Sequence, residues 1–208
     1  MKPIKIWGRA NSGNVKKVLV VADELNIAYE RIDAGLQFGI VDTLEYRKLN
    51  PNGKVPTIED GAFVLWESNS ICRYFAMKYG GEALYPADFE TRASIDRWLD
   101  WVLTIVVPTE VPVFQGTIRT PREKRDSVAI AANVKKVAEV YQVADGVLAD
   151  REYLERNVSL ADLVLGIFVY RYLKNPFIDR PTHKNLEAWC ERLMQRPSYK
   201  KHVVQPLT

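Results

Sequence analysis

The chain has 208 residues, 47% of them hydrophobic and 26% charged, the balance of a globular protein long enough for one large domain or two small ones. A net charge of +3 from scattered basic residues is too small to argue for a nucleic-acid partner. No apolar run reads as long enough to span a membrane, Met1-Lys2-Pro3-Ile4-Lys5 lacks the apolar core of a signal peptide, and Cys72 and Cys190 do not make a disulfide framework, so the expected compartment is the cytoplasm.

Ile4 and Ile6 alternate with Lys5 and Trp7 and predict a short strand ending at Gly8. The loop Arg9-Ala10-Asn11-Ser12-Gly13 leads into a helix whose apolar positions Val15, Val18, Leu19, Ala22 and Leu25 share one face. Ser12 and Asn14 fall in the loop or first turn, where hydroxyl and amide side chains cap helices. Ala28 to Asp33 is expected to form a second strand, and Val41 to Lys48 a short helix. Asn50-Pro51-Asn52-Gly53 is a turn signal. The β-type run Val55 to Ile58 contains Pro56, which cannot donate to a sheet ladder. Asp60-Gly61 reads as a hairpin turn into Phe63-Val64-Leu65. Glu67-Ser68-Asn69 then precedes an apolar periodic segment through Ile71, Phe75 and Tyr79, so Ser68 or Asn69 is expected to cap a helix that Gly80-Gly81 ends.

A helix start presents free N–H groups and a partial positive charge, to which a ligand carboxylate can bind, with Glu67 beside it to accept from a ligand ammonium. An extended edge at Val55 can pair with a peptide-like ligand through its backbone. Such a ligand-facing edge is a place where X-Pro isomerism serves geometry, and the Val55–Pro56 bond is expected to be cis.

The order β-α-β-α-β-β-α predicts an α/β domain with a mixed sheet over residues 1–80. Residues 81–88 belong to an aperiodic stretch with glycine and proline and read as a linker to an all-α domain over 89–208. There Phe89 to Val107 reads as a long helix that Pro108 and Pro112 end or kink. Pro121 is expected near the first turn of the next helix, Arg122 to Asp150. Leu160 to Tyr172 is apolar almost all round, which argues for burial, and Asn185 to Arg196 is amphipathic before a short terminal turn. Ser159 and Asp162 have the spacing of a capping box, a structural role. Cys72, Cys190, Trp98, Trp101, Trp189 and Tyr170 to Tyr172 read as core. His183 and His202, with no partners at metal or triad spacing, are expected at the surface; no metal site is expected.

Lys54-Val55-Pro56 with Trp66-Glu67-Ser68-Asn69, joined by a hairpin, resembles the glutathione-binding core of the cytosolic glutathione transferases, and the resemblance extends over both domains and the linker. It implies a thioredoxin-like N-terminal domain followed by an all-helical domain, with glutathione as co-substrate and no other cofactor. It implies that Val55 pairs with the cysteinyl backbone of glutathione and that Glu67 and Ser68, beside Asn69, hold the γ-glutamyl end. Lys54 either binds the glycyl carboxylate or projects into solvent.

Asn11-Ser12-Gly13-Asn14-Val15-Lys16-Lys17-Val18 resembles the catalytic loop of the serine-type, theta-like bacterial members. A thiol with an unperturbed pKa of about 8.5 is mostly protonated at neutral pH, so such a loop must supply hydrogen bonds and positive potential to the sulfur. The alignment puts Ser12 at the catalytic serine and Asn14 where some bacterial members carry an asparagine that also contacts sulfur. The family often has proline there, which leaves the main donor open between Ser12 and Asn14; Asn11 is a third, weaker candidate, and a plain helix cap is the other reading of Ser12. With no cysteine in the loop, the chain lacks the nucleophile of the cysteine-type members.

The resemblance further implies an electrophile site between the domains, with Val107, Thr109, Val113 and Phe114 as apolar lining, and a homodimer in which Phe63 or its neighbours make an apolar contact. The implied reaction is attack of the glutathione thiolate on a hydrophobic electrophile or reduction of a peroxide. Glutathione-dependent disulfide reduction and a non-catalytic binding module are the alternatives.

Overall fold

The computed structural model describes residues 2–208. The chain divides into two compact units with the boundary between Tyr85 and Pro86.

The first unit runs β1 (Ile4–Trp7), α1 (Gly13–Glu24), β2 (Tyr29–Ile32), a 3-10 turn (Leu36–Phe38), α2 (Leu44–Leu49), β3 (Thr57–Asp60), β4 (Phe63–Trp66) and α3 (Ser68–Lys78). The sheet order is β2-β1-β3-β4, with β1 parallel to β2 and antiparallel to β3, and β3 antiparallel to β4. Alternation in β1 buries Ile4 and Ile6, and α1 packs on α3, with Val15, Val18, Leu19 and Ala22 of the one and Ile71, Cys72, Phe75 and Ala76 of the other all buried. Each large apolar side chain so buried contributes about 1.5–3 kcal/mol.

The register carries the functional consequence. Trp7 pairs with Ile32 and with Thr57, and Thr57 pairs with Trp66. The segments that follow Trp7, Ile32 and Trp66, and the one that precedes Thr57, therefore leave the sheet at the same end. Two boundaries differ from expectation. The ladder begins at Thr57 rather than Val55, because Pro56 has no N–H to give it. The N-cap of α3 is Glu67 rather than Ser68 or Asn69, because Glu67 turns the chain at φ +73° directly after β4.

In the second unit, α4 (Phe89–Trp101) and α5 (Val107–Phe114) are joined by a π-helical turn (Val102–Val106), and a second such turn (Gln115–Arg119) follows. Helix thus continues from Phe89 to Arg119, so Pro108 and Pro112 do not end it. Both prolines lie on the exposed side. The π turn before Pro108 re-registers the backbone, with the Val107 N–H donating to the Val102 carbonyl. The hydroxyls of Thr104, Thr109 and Thr117 donate to carbonyls one turn back, at 2.9, 2.7 and 2.7 Å. Because the prolines do not break it, this helix also corrects the membrane reading. By length and composition alone it holds an 18-residue window sufficient to span a bilayer, a third of it buried within the protein.

The remaining helices are α6 (Ser127–Val147), α7 (Leu160–Leu173), α8 (Lys184–Met194) and α9 (Pro197–His202). Pro121 precedes a 3-10 turn (Arg122–Lys124) instead of opening α6, which Asp126 caps by accepting from the Ala129 N–H at 2.9 Å. All of α7 except Arg171 and Leu173 is buried. Gly166 permits that: a Cβ there would lie 2.5 Å from both Leu193 Cδ1 and the Tyr199 hydroxyl.

Asp162 at the start of α7 accepts from the Ser159 N–H and hydroxyl, the Leu154 N–H and the Trp189 indole, all at 2.9 Å. The capping box is thus extended into a buried hub that ties α7 to α8. Arg171 closes a buried ion pair with Glu110 of α5 and stacks its guanidinium 4.1 Å from the Phe114 ring centroid. His183 is buried, not at the surface, because it sits at the start of α8 with the Tyr172 ring 6.3 Å away.

Candidate active site

Three of the four segments at this end of the sheet carry the candidate residues, and the first is the β1–α1 loop. Gly8 is needed for close approach: a Cβ there would stand 2.4 Å from Val15 and 3.3 Å from the Val55 Cβ. This contact also fixes Val55 beside the loop. Ser12 is the N-cap of α1, in an extended conformation, and its Oγ accepts from the Val15 N–H at 3.5 Å. That is longer than a good hydrogen bond, so the hydroxyl is loosely engaged as a cap. Ser12 is 8% exposed. Asn11 and Asn14 flank it, both half-buried. The Asn14 side-chain carbonyl is buried with no hydrogen-bond partner in the protein.

The second segment is Lys54-Val55-Pro56, and the Val55–Pro56 peptide bond is cis. The Lys54 carbonyl accepts from the Tyr46 hydroxyl at 2.7 Å and from the Asn50 amide at 2.9 Å. The same two groups reach the Thr57 hydroxyl at 2.8 and 3.1 Å. Asn50 also accepts from the Asn52 N–H at 3.1 Å, which closes the turn. Tyr46 and Asn50 are each 2% exposed. Burial pushes the Tyr46 phenol up from its ordinary pKa, against the hydrogen bonds of Thr57 and Asn50, so it remains a neutral donor. The Lys54 side chain is exposed. Neither Tyr46 nor Asn50 stood out as a site residue in the sequence. Asn50 reads there as a turn former, and Tyr46 is a single aromatic in a six-residue helix.

The third segment is Glu67-Ser68-Asn69. Glu67 holds a positive φ that costs a residue with a side chain about 1–3 kcal/mol. It is exposed and makes no side-chain cap bond to α3. Ser68 and Asn69 are buried in the first turn. Beneath them lies Lys17 of α1, fully buried, whose Nζ donates to Asn69 Oδ1 at 3.1 Å and to Ser68 Oγ at 3.5 Å. Sequence reasoning passed over Lys17. Its signal was a lysine among Val15, Val18, Leu19, Val20 and Val21, where most neighbours are core.

Of the other candidates, Val113 and Phe114 are buried within the second unit, while Val107 and Thr109 are half-buried on the same helix. Burial pushes the Cys72 thiol up to about 12, partly opposed by the nearby charges of Lys17 and Arg73, so it is no nucleophile at neutral pH. Among the described residues no group of His, Cys, Asp or Glu is placed to hold a metal ion.

The site therefore offers a backbone edge at Val55, a helix start with an acidic neighbour and a buried cation at Glu67-Ser68-Asn69, and a hydroxyl at the start of α1. Those are the means to hold a peptide with a free α-carboxylate and α-ammonium and to face its middle with a donor. Comparison with known proteins gives the family. Residues 8–83 match the family model for the glutathione S-transferase N-terminal domain, and residues 96–197 that for the C-terminal domain. The chain is 36% identical over 208 residues to glutathione S-transferase GstB of Escherichia coli strain K12, covering 99% of this chain and 100% of the relative. It superposes with a TM-score of 0.95 and 45% identity on the glutathione-bound theta class glutathione S-transferase of Xanthomonas axonopodis pv. citri, covering 100% of both chains. Glutathione S-transferase I of maize, in complex with an atrazine glutathione conjugate, gives a TM-score of 0.87 at 26% identity over 97% of each chain. By sequence over its full length and by the fold of both its units, this chain belongs to the glutathione S-transferase family.

Proposed function

We propose that the chain binds glutathione along the three segments that converge at one end of its sheet and transfers the thiolate to a hydrophobic electrophile. The observation that carries this is the register Trp7–Thr57–Trp66, which delivers Ser12, Val55 and Ser68 to the same edge. The Xanthomonas relative's bound glutathione and the maize relative's conjugate support the choice of ligand.

In this reading the cysteinyl backbone of glutathione pairs with Val55, which Tyr46 and Asn50 steady through the Lys54 carbonyl. The γ-glutamyl carboxylate lies on the first turn of α3 beside Ser68 and Asn69, and Glu67 accepts from the ammonium. Lys54, exposed, reaches the glycyl carboxylate. The Ser12 hydroxyl donates to the sulfur and stabilises the anion, with the Asn14 amide as second donor and Asn11 beside them; the thiol proton leaves to solvent. The thiolate then bonds to an electrophilic carbon as the leaving group departs with its electron pair. With a hydroperoxide, the sulfur is oxidised to a sulfenic acid as the peroxide is reduced to an alcohol. A second glutathione thiol condenses with the sulfenic acid, giving the disulfide and water.

Val107 and Thr109, half-buried, supply apolar surface for the electrophile. Phe63, 46% exposed with its ring tilted against Tyr74 at a centroid distance of 5.0 Å, is the apolar contact of a homodimer. Retention on immobilised glutathione, with turnover of chlorodinitrobenzene or cumene hydroperoxide, is the expected result; activity toward disulfides alone would overturn it. Glu67→Ala should weaken glutathione binding by about 1–3 kcal/mol, roughly five- to 150-fold. A monomer by sedimentation at micromolar concentration would remove the dimer.

A further inference from the structure

Lysine is almost never fully buried unless its ammonium has partners. Lys17 is fully buried between α1 and α3, and its Nζ meets Ser68 and Asn69 in the first turn of α3. We propose that Lys17 is a positioning residue that makes this turn a receptor for the α-carboxylate of the γ-glutamyl group, a role that rests on the glutathione reading above.

Two effects support it. The first is electrical. The N–H groups at the start of α3 carry partial positive charge, and Glu67 does not cap them with its side chain. The Lys17 ammonium adds a full charge of the same sign from below. It does so in a buried setting, where charges act more strongly than in water. Both favour an anion at that turn and disfavour a neutral or cationic group.

The second is directional. A serine hydroxyl has one proton to give, and an asparagine amide has an accepting end and a donating end. Lys17 donates to Asn69 Oδ1 at 3.1 Å and, through a longer contact of 3.5 Å, to Ser68 Oγ. The Asn69 amide is thereby oriented by its oxygen, and the Ser68 proton is biased away from Lys17, toward an incoming ligand. The one acidic group of the trio, Glu67, stands exposed to receive the ammonium. Lys17 thereby sets the polarity of the subsite: carboxylate on Ser68-Asn69, ammonium on Glu67.

The test compares glutathione with 4-aminobutyryl-cysteinylglycine, the same tripeptide without the α-carboxylate, by calorimetry. The proteins are the wild type, Lys17→Met, Lys17→Gln and Lys17→Arg, each checked by a melting curve. The wild type should prefer glutathione by at least about tenfold, the scale of one charge-assisted hydrogen bond. Lys17→Met and Lys17→Gln should lose most of that preference by binding glutathione more weakly while binding the analogue as before. Lys17→Arg, which keeps the charge, should retain it. In turnover the neutral variants should raise KM for glutathione and leave kcat and the bound thiol's pKa in place. Equal weakening toward both peptides in Lys17→Met and Lys17→Gln would make Lys17 a scaffold residue and overturn the proposal. Full preference in Lys17→Gln, which keeps donors without charge, would do the same. A wild type that binds both peptides equally overturns the proposal without any variant, whereas a wild type that binds neither removes the glutathione reading itself.

Discussion

Ser12→Ala separates two roles that share one hydroxyl. As a cap, Ser12 Oγ accepts from the Val15 N–H at 3.5 Å, beyond the 2.7–3.2 Å of a well-formed bond. Losing it should cost the low end of the range for helix caps, about 0.5 kcal/mol. For a chain of this length that lowers the melting temperature by roughly 1–2 °C. As a donor to a thiolate the same group is worth about 1.5–3 kcal/mol, because one partner is charged. At about 1.4 kcal/mol per pKa unit, the bound thiol should move up by one to two units toward its free value of about 8.5. Once that pKa lies above the assay pH, the thiolate fraction falls roughly tenfold for each unit, and kcat falls with it where chemistry limits turnover. Glutathione affinity should change far less, since the tripeptide contacts are untouched. Ultraviolet titration of the bound thiolate, steady-state kinetics and a melting curve on both proteins read all three quantities. A mutant with an unmoved thiol pKa and a stability loss of about 1–2 kcal/mol would refute the reasoning and leave Ser12 a cap. Asn14→Ala in the same assays tests the second donor.

Tyr46→Phe removes one of two donors from the Lys54 carbonyl and a partner from Thr57; it should cost about 1 kcal/mol of stability and weaken glutathione binding in calorimetry, and unchanged affinity would show that the cluster does not hold Val55 in place. Asp162→Ala strands the Leu154 and Ser159 N–H groups and the Trp189 indole, so denaturant unfolding should reveal a loss of about 3–5 kcal/mol; a loss below about 1 would contradict the hub. His183 has its pKa held below the ordinary value, mainly by burial and by Arg180, against Asp145 and Glu187. Its stabilising contribution is present above the unfolded value of about 6.5 and is lost as pH falls from there through the lower folded value. His183→Phe should therefore flatten the dependence of melting temperature on pH between about 7 and 5, and parallel curves for the two proteins would rule this out.

The N-terminal unit was legible because its signals are local. Alternation in Ile4-Lys5-Ile6, the Asp60-Gly61 turn and the proline at 56 each constrain a few neighbouring residues, and the strands formed where those constraints agree. The site's backbone parts followed for the same reason. What the sequence hid is tertiary. Tyr46, Asn50 and Lys17 act through partners 8, 4 and 52 residues away, and no spacing rule announces such pairs. Pro108 and Pro112 predict an end or a kink because the local rule assumes an α-helical ladder. A π turn changes the register around them, which is a property of the packed helix and not of the dipeptide. His183 deceived in the opposite way: its polar neighbours Thr182 and Lys184 suggested solvent, but Tyr172 and α8 enclose it.

The cradle proposed for glutathione joins main chain at Val55 and at the start of α3, with the Lys54 carbonyl fixed from behind by Tyr46 and Asn50, to the side chains of Glu67, Ser68 and Asn69. None of these groups is the Ser12 hydroxyl, so ligand capture and reactivity rest on different residues and are separable by design. The loop residue at 12 does not support that cradle beyond one long capping contact. An engineer can therefore exchange it as one changes the tip of a tool. Cysteine there would offer a thiol for mixed-disulfide exchange, and tyrosine a bulkier donor. The handle that grips the tripeptide stays as it is.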